Sequence, residues 1–248
     1  AMRPTISFLS RDDKDKIHHE AFQILSEIGM KILQDEALAL LKNAGCTVDQ
    51  DRMVKIPEEL VHQAIGSAQN NIPIFDRVGT HVMDIGGHRS YFGTGSDLIY
   101  SLDAKTMKRH RCVVEDVARA AKVADALPNI DFIMSFAHPS DFPARRAYLL
   151  SFQSMAANSI KPIVCTAAGR DDLSEMWQVS RILRQGESEL RSKPYFIYYG
   201  EPISPLKYPA DSIDKLLFCA AKAIPAIFSP APIAGSTAPM MRISGLSR

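Results

Sequence analysis

The segment IDFIMSF at residues 130–136 is the first of four short runs that are apolar on both faces. The others are PIVCT at 162–166, YFIYY at 195–199 and AIFS at 226–229, so successive runs begin 32, 33 and 31 residues apart. Such runs are typical of strands buried in a parallel sheet, and the segments between them carry helix start and stop signals. The pattern therefore predicts a βα repeat with right-handed crossovers.

Two architectures fit this repeat, an open doubly wound sheet and a (β/α)8 barrel, and both bind ligands at the carboxyl ends of their strands. A dinucleotide site is disfavoured, because FGTGSD at residues 92–97 lacks the third glycine of the fingerprint and does not open a helix. We interpret FGTGSD as a tight turn.

Upstream of the repeat the sequence changes character twice. Apolar spacing, acidic starts and glycine stops predict amphipathic helices over residues 12–29 and 35–45, and Pro57 opens a third. Residues 72–111 then carry short β-type pieces separated by turn residues, which predict a small antiparallel region.

Composition excludes several classes of protein. The chain has 248 residues, 46% hydrophobic and 23% charged, which is typical of a globular protein. Lysine plus arginine (29) nearly balances aspartate plus glutamate (28), so the net charge of +1 does not favour nucleic-acid binding.

The most apolar stretch, residues 216–241, is interrupted by Lys222 and several prolines and predicts no membrane span. With no apolar signal region near its start, we expect a cytoplasmic protein.

The four cysteines are evenly spread and form no CxxC pair, and the histidines include no HExxH motif. We therefore expect no metal site, and we interpret the cysteines as reduced thiols in the core. Polar residues instead recur where the predicted strands end. The candidate substrate-binding residues are Phe136, His138, Thr166, Tyr199, Glu201, Ser236 and Thr237.

Strand parity places His138 with Phe136, and Glu201 with Tyr199, on faces that could line an interior. A carboxylate beside aromatic rings suits a cationic ligand such as a quaternary ammonium group. Other interpretations stay open: His138 as a helix-entry residue bonded to backbone, Glu201 as a loop carboxylate or salt-bridge partner, and residues 235–237 as a tight turn. The catalytic residues are not identified by this pattern.

Six collinear segments resemble the trimethylamine methyltransferase family. They are HEAFQILSEIGMKI (19–32), FGTG (92–95), DALPNIDF (125–132), NSIKPIV (158–164), EPISPL (201–206) and PIAGSTAP (232–239). The resemblance implies a (β/α)8 barrel that binds a methylated amine or betaine-like compound and passes a methyl group to a corrinoid (cobalamin). It also implies that a partner protein carries the corrinoid and that this chain binds no cofactor itself.

The sequence departs from the family pattern in that about four βα units are present instead of eight. The position at which some members carry pyrrolysine belongs to the later half of the family's barrel. We therefore expect an amino-terminal half, truncated or frameshifted, with a helical and β-hairpin subdomain at residues 1–112 and a partial βα barrel at 113–248. A half barrel exposes strand edges and an apolar inner face, which predicts a homo-oligomer.

Two other functions compete with methyl transfer. The first is a non-catalytic member of the family that binds amines or only oligomerises. The second is another barrel enzyme, such as a lyase, which would need a Schiff-base lysine or metal cluster at the strand ends. Lys161 and Lys193 precede predicted strands instead, at the wrong end, so this function ranks last.

Overall fold

A computed structural model describes residues 7–233 and 235–237, which mix helices with short strands. The helices are α1 (Arg11–Gln23), α2 (Asp35–Asn43), α3 (Glu58–Ser67), α4 (Val114–Ala126), α5 (Ala144–Asn158), α6 (Arg170–Leu183), α7 (Glu187–Ser192) and α8 (Ala210–Lys222). The strands are β1 (Met30–Ile32), β2 (Thr47–Val48), β3 (Met53–Lys55), β4 (Ile72–Phe75), β5 (His81–Ile85), β6 (Tyr100–Leu102), β7 (Arg109–Arg111), β8 (Ile163–Cys165), β9 (Phe196–Gly200), β10 (Lys207–Tyr208) and β11 (Ala226–Phe228).

The chain divides into two compact units, which are described separately. Of the described residues, unit one contains 7–68, 202–210, 230–233 and 235–237, and unit two contains 69–201 and 211–229. Unit two therefore contains both the hairpins of residues 72–111 and the parallel strands. The predicted domain boundary, in contrast, lies after residue 112. That boundary stays a prediction.

Unit one contains the three helices that the sequence predicted. Ser10 begins α1 with a capping box, in which its hydroxyl accepts from the Asp13 amide at 3.1 Å and its own amide donates to the Asp13 carboxylate at 3.0 Å. One π-helical turn, Ile24–Ile28, continues α1. The apolar face predicted for this helix is largely open, since α1 buries no residue and Ile17 is exposed.

A small sheet that the sequence did not predict completes unit one, with strand order β10-β1-β3-β2. β1 pairs antiparallel with β3 and parallel with β10. Gly29 leads into β1 with φ of 83°, and a Cβ at this position would lie 2.5 Å from the carbonyl oxygen of Val54. Glycine is therefore required at this approach of two backbones.

Unit two contains the parallel sheet, whose strands follow the predicted repeat. β8, β9 and β11 are parallel neighbours, with Cys165 beside Tyr198 and Phe228 beside Gly200. The predicted strand in residues 130–136 is reduced to bridges, one of which pairs Ile133 with Ile163 in parallel. The prediction of successive parallel strands is confirmed for the three named strands.

The antiparallel region is confirmed as two hairpins, β4 with β5 and β6 with β7. The segment FGTGSD between them is not the tight turn that we predicted. Gly93 pairs with Phe132 and Leu98 with Ala137, both in parallel, so residues 93–98 run along the sheet as a fifth segment. A Cβ on Gly93 would lie within 2.2 Å of the Phe132 ring, and the missing side chain permits this approach.

Two apolar clusters cover the two faces of the parallel sheet. On one face, Ile163 and Tyr198 are packed with side chains of α4, α5, α6 and α8. On the other, Val164 and Ile197 pack against Ile74 and Met83 of the β4–β5 hairpin. Burial on both faces explains why these strands are continuously apolar.

The α/β class is confirmed, but no closed barrel is present in the part of the chain that the structure describes. Within that part β11 is the last strand of the three-stranded sheet and pairs with β9. None of the helices in the described residues is long and apolar enough to cross a membrane. All four cysteines are buried and free, as predicted.

Candidate functional site

Polar side chains gather where the parallel strands end. Thr166 directly follows β8 and Glu201 directly follows β9. Because Cys165 lies beside Tyr198, Thr166 and Tyr199 come next on neighbouring strands, which are about 4.8 Å apart. The structure therefore brings Thr166, Tyr199 and Glu201 to one edge of the sheet, as the repeat predicted.

Tyr199 and Glu201 form a hydrogen-bonded pair at this edge. The Tyr199 hydroxyl donates to Oε1 of Glu201 at 2.5 Å, and this bond raises the pKa of Tyr199. The ring of Tyr199 packs against the apolar cluster on the face that the β4–β5 hairpin covers, while Glu201 is exposed. The pair thus offers a ring and a carboxylate side by side.

Asp97 is a second carboxylate at this edge, and the sequence reasoning missed it. Its Oδ1 accepts from the hydroxyls of Ser135 at 2.9 Å and Thr166 at 3.2 Å. Asp97 has φ of 58°, a conformation that aspartate tolerates better than most residues. The aspartate in FGTGSD is the available signal, but the interpretation of that segment as a tight turn gives it no role at the site.

A cavity of about 610 Å³ adjoins Asp97. Its lining residues are Asp97, Ile99, Arg111, His138, Pro139, Ser140, Phe142, Ala144 and Tyr148. The His138 ring meets the Tyr148 ring edge-on with centroids 4.9 Å apart, and the His138 amide donates to the carbonyl of Leu98 at 2.8 Å. Burial, followed by the charges of Asp97 and Asp172, raises the pKa of Tyr148. His138 and Asp97 therefore share one cavity.

Phe136 does not share a face with His138 in the way that strand parity predicted. Its φ of 52° interrupts the alternation of the strand. Phe136 instead packs against the core on the helix side and lines a separate cavity beside α4. A left-handed residue inside the predicted strand is the physical reason for this error.

Ser236 and Thr237 belong to unit one and are described within it. Their amides both donate to the carbonyl of Ile233 at 3.0 Å, and the Thr237 hydroxyl accepts from the Ile233 amide at 2.8 Å. These contacts form the tight turn that was one of the two interpretations of this segment.

The described residues contain no group of three His, Cys, Asp or Glu side chains that could hold a metal ion. The chemistry of the edge in unit two is instead that of carboxylates, hydroxyls and aromatic rings. Such a set attracts organic cations.

Comparison with known proteins identifies the family. The model of the trimethylamine methyltransferase family matches residues 1–247. A glycine betaine methyltransferase of Desulfitobacterium hafniense strain Y51 is 28% identical over 98% of this chain and 51% of that protein. The trimethylamine methyltransferase MttB of D. hafniense strain DSM 10664 / DCB-2 is 25% identical over 89% of this chain and 45% of its own length.

The trimethylamine methyltransferase MttB of Methanosarcina thermophila is 25% identical over 95% of this chain and 50% of its own length. The chain spans about half the length of these curated relatives. Because the family model covers nearly every residue, the resemblance seen in the six segments is confirmed, and the chain belongs to the trimethylamine methyltransferase family.

Proposed function

We propose that this chain binds a methylated amine or betaine-like substrate and contributes to transfer of its methyl group to a corrinoid carried by a partner protein. Family membership supports the reaction class, and the names of the relatives supply trimethylamine and glycine betaine as the substrates to test. In this transfer the C–N bond breaks with its electron pair left on nitrogen, and the Co(I) acceptor supplies the pair that takes the methyl carbon.

The observation that carries the proposal is the edge formed by Tyr199, Glu201, Thr166 and Asp97. It presents two carboxylates, one of them beside an aromatic ring. Ring faces and carboxylates each attract a quaternary ammonium group, by about 0.5 to 2 kcal/mol per ring contact. Glu201 and Asp97 attract the cation, the Tyr199 ring contacts its methyl groups, and Thr166 orients Asp97.

The other four candidate residues are Phe136, His138, Ser236 and Thr237. His138 lines the cavity beside Asp97 and extends the site. Phe136 packs on the helix side of the sheet and lines a separate cavity, so we give it no role at this site. Ser236 and Thr237 stay predictions.

Calorimetry with the 248-residue chain tests substrate binding. We expect heat with glycine betaine and trimethylamine, and none with 3,3-dimethylbutanoate, which has the shape of glycine betaine with carbon in place of the charged nitrogen. Glu201→Gln weakens betaine binding about tenfold, since one charge–cation contact is lost. Glu115→Gln, an exposed carboxylate of α4, is the matched control and leaves binding unchanged. Equal heats with 3,3-dimethylbutanoate, which lacks the cationic nitrogen, contradict the proposal.

A second candidate function is a non-catalytic amine-binding or oligomerising member of the family, and the open carboxylate and aromatic edge, which can bind a cation without transferring its methyl group, is compatible with it. Methyl transfer to Co(I) cobalamin, followed by absorbance, separates the two. Methylation that depends on added amine supports catalysis by this chain. Amine binding without methylation supports the second candidate.

The barrel architecture and self-association belong to the same proposal. The order of parallel segments matches that of successive units in a (β/α)8 barrel. In the described residues β11 is the last strand of this sheet, and its Ile227 is 41% exposed. Edges of this kind pair with other chains. We expect sedimentation to show oligomers that Ile227→Lys disrupts and Ile65→Lys, a change in α3, does not. A wild-type monomer at micromolar concentration contradicts self-association.

We place the protein in the cytoplasm, which fits its free thiols.

A further inference from the structure

We propose that unit two contains an anion-binding site for a phosphate group, at the end of the sheet opposite the amine site. A cavity of about 480 Å³ lies there, lined by Arg77, Val78, Gly79, Leu183, Arg184, Gln185, Glu189 and Lys193. Lys193 precedes β9, whereas Glu201 follows it. The two sites are therefore separated by the length of this strand.

The central observation is a buried guanidinium group without a counter-ion. Arg184 is only 8% exposed, and its Nη atoms donate to the carbonyl oxygens of Lys193 at 2.5 Å and Arg77 at 3.5 Å. Its Nε has no hydrogen-bond partner. Among the described residues, no carboxylate lies within 4 Å of this group. Buried charges in proteins are normally paired, so the adjoining cavity is the place for an anion.

Two further cations face the same cavity. Arg77 uses its Nε to bind the carbonyl of Ser159 at 3.1 Å, and its terminal nitrogens have no partner in the described part of the chain. Lys193 pairs with Glu189 at 3.3 Å, and both side chains are about half exposed. Three cations and one carboxylate give the lining a formal charge of +2. That charge matches a phosphate dianion better than a monocarboxylate.

The β4–β5 turn leaves room for the Arg184 guanidinium but offers the phosphate no free backbone amide among residues 78–80. The buried Asp76 carboxylate accepts the amides of Val78, Gly79 and Thr80 at 3.0, 2.7 and 2.8 Å, so those donors are already used. Gly79 has φ of 106°, and a Cβ there would lie 2.9 Å from Nη1 of Arg184. The ligand is therefore held by the side chains, and guanidinium groups suit phosphate because they donate two parallel hydrogen bonds.

Titration of the 248-residue chain with inorganic phosphate, at constant ionic strength with sodium chloride as the balancing salt, tests this site. We expect saturable binding by calorimetry and a rise in melting temperature that chloride does not produce. Arg77→Gln weakens phosphate binding about tenfold, because a charge-assisted hydrogen bond is lost. Arg145→Gln removes an exposed arginine of α5 and leaves binding unchanged.

Arg184 itself ties two loops together, so its removal could unfold the chain, and Lys193→Gln is the second variant instead. It is expected to weaken phosphate binding without changing the melting temperature of the unliganded protein. Glycerol 3-phosphate and acetate complete the series: tighter binding of the ester identifies an organic phosphate, whereas acetate should bind weakly. Equal phosphate binding by Arg77→Gln, Lys193→Gln and Arg145→Gln overturns the proposal, as does a response to chloride equal to that to phosphate.

Discussion

The hydroxyl of Thr166 donates to the carboxylate of Asp97 at 3.2 Å across 69 positions of sequence. The same carboxylate accepts from Ser135, and Ser135 in turn accepts from the Asp97 amide at 3.2 Å. These bonds attach residues 93–98 to the ends of two other parallel segments. A single carboxylate thus joins three parts of the proposed amine site.

Replacement of Asp97 tests this role. Asp97→Asn keeps the size of the side chain but removes its charge, so we expect glycine betaine binding to weaken about tenfold with little change in stability. Asp97→Ala also leaves two hydroxyls without their acceptor and places alanine at a positive φ, which lowers the free energy of unfolding by about 1–3 kcal/mol. Calorimetry and urea unfolding measure the two effects. Asp51→Ala, at an exposed carboxylate, serves as the control. Unchanged betaine affinity in Asp97→Asn contradicts the assignment.

The bond between Tyr199 and Glu201 predicts how the phenol titrates. Because the carboxylate stabilises the protonated phenol, Tyr199 should ionise above the ordinary tyrosine pKa of 10.0. Glu201→Gln removes the negative charge and should bring its pKa back towards that value. Absorbance near 295 nm, compared with Tyr199→Phe to isolate one of the seven tyrosines, measures the change. A titration of Tyr199 that is the same in Glu201→Gln and wild type would exclude this coupling.

Buried thiols and phenols predict that the fold loses stability in alkaline solution. Burial raises the pKa of Cys219 from 9.0 to about 12 and that of Tyr195 from 10.0 to about 12. Since these pKa values are higher in the folded chain, their contribution to stability is complete below pH 9.0 and is lost as the pH rises towards 12.

We expect Cys219 alone to account for a loss of about 2 kcal/mol in the free energy of unfolding between about pH 7.5 and about pH 10.5. Urea unfolding at both pH values measures it, and Cys219→Ala should reduce the difference. Equal stability at the two pH values would refute the prediction.

A pair of glycine substitutions should change stability in opposite directions. Gly29→Ala places a methyl group 2.5 Å from the Val54 carbonyl at a positive φ, and we expect a loss of about 2 kcal/mol or more. Gly66 lies in α3 with no neighbour within 4 Å, so Gly66→Ala should stabilise the chain by about 0.5–1 kcal/mol. Urea unfolding of both variants provides the test, and equal effects would contradict the structural assignment.

The sequence was sufficient to predict the elements whose signals are local. Runs that are apolar on both faces identified β8, β9 and β11, and their ends identified Thr166, Tyr199 and Glu201. Acidic starts and glycine stops identified α1 and α2. These patterns were readable because burial on two faces and helix capping both act on neighbouring residues.

What escaped prediction depends on contacts between distant residues or on a single dihedral angle. β1 pairs with β10, and no local pattern records that partner. The left-handed conformation of Phe136 interrupts the alternation of side chains and places Phe136 on the face opposite to the one that strand parity predicted. Asp97 was missed for both reasons, because it has a positive φ and its partners lie in other segments.

The order of segments in the parallel sheet of unit two has a consequence for how the chain is made. Each segment of this sheet pairs with the segment that precedes or follows it along the chain. The order is residues 93–98, residues 132–137, β8, β9 and β11, which is also the order in which the ribosome synthesises them. Each pairing therefore needs only residues already synthesised, and no later strand has to insert between two earlier ones. This agreement between chain order and sheet order favours growth of the sheet strand by strand during translation.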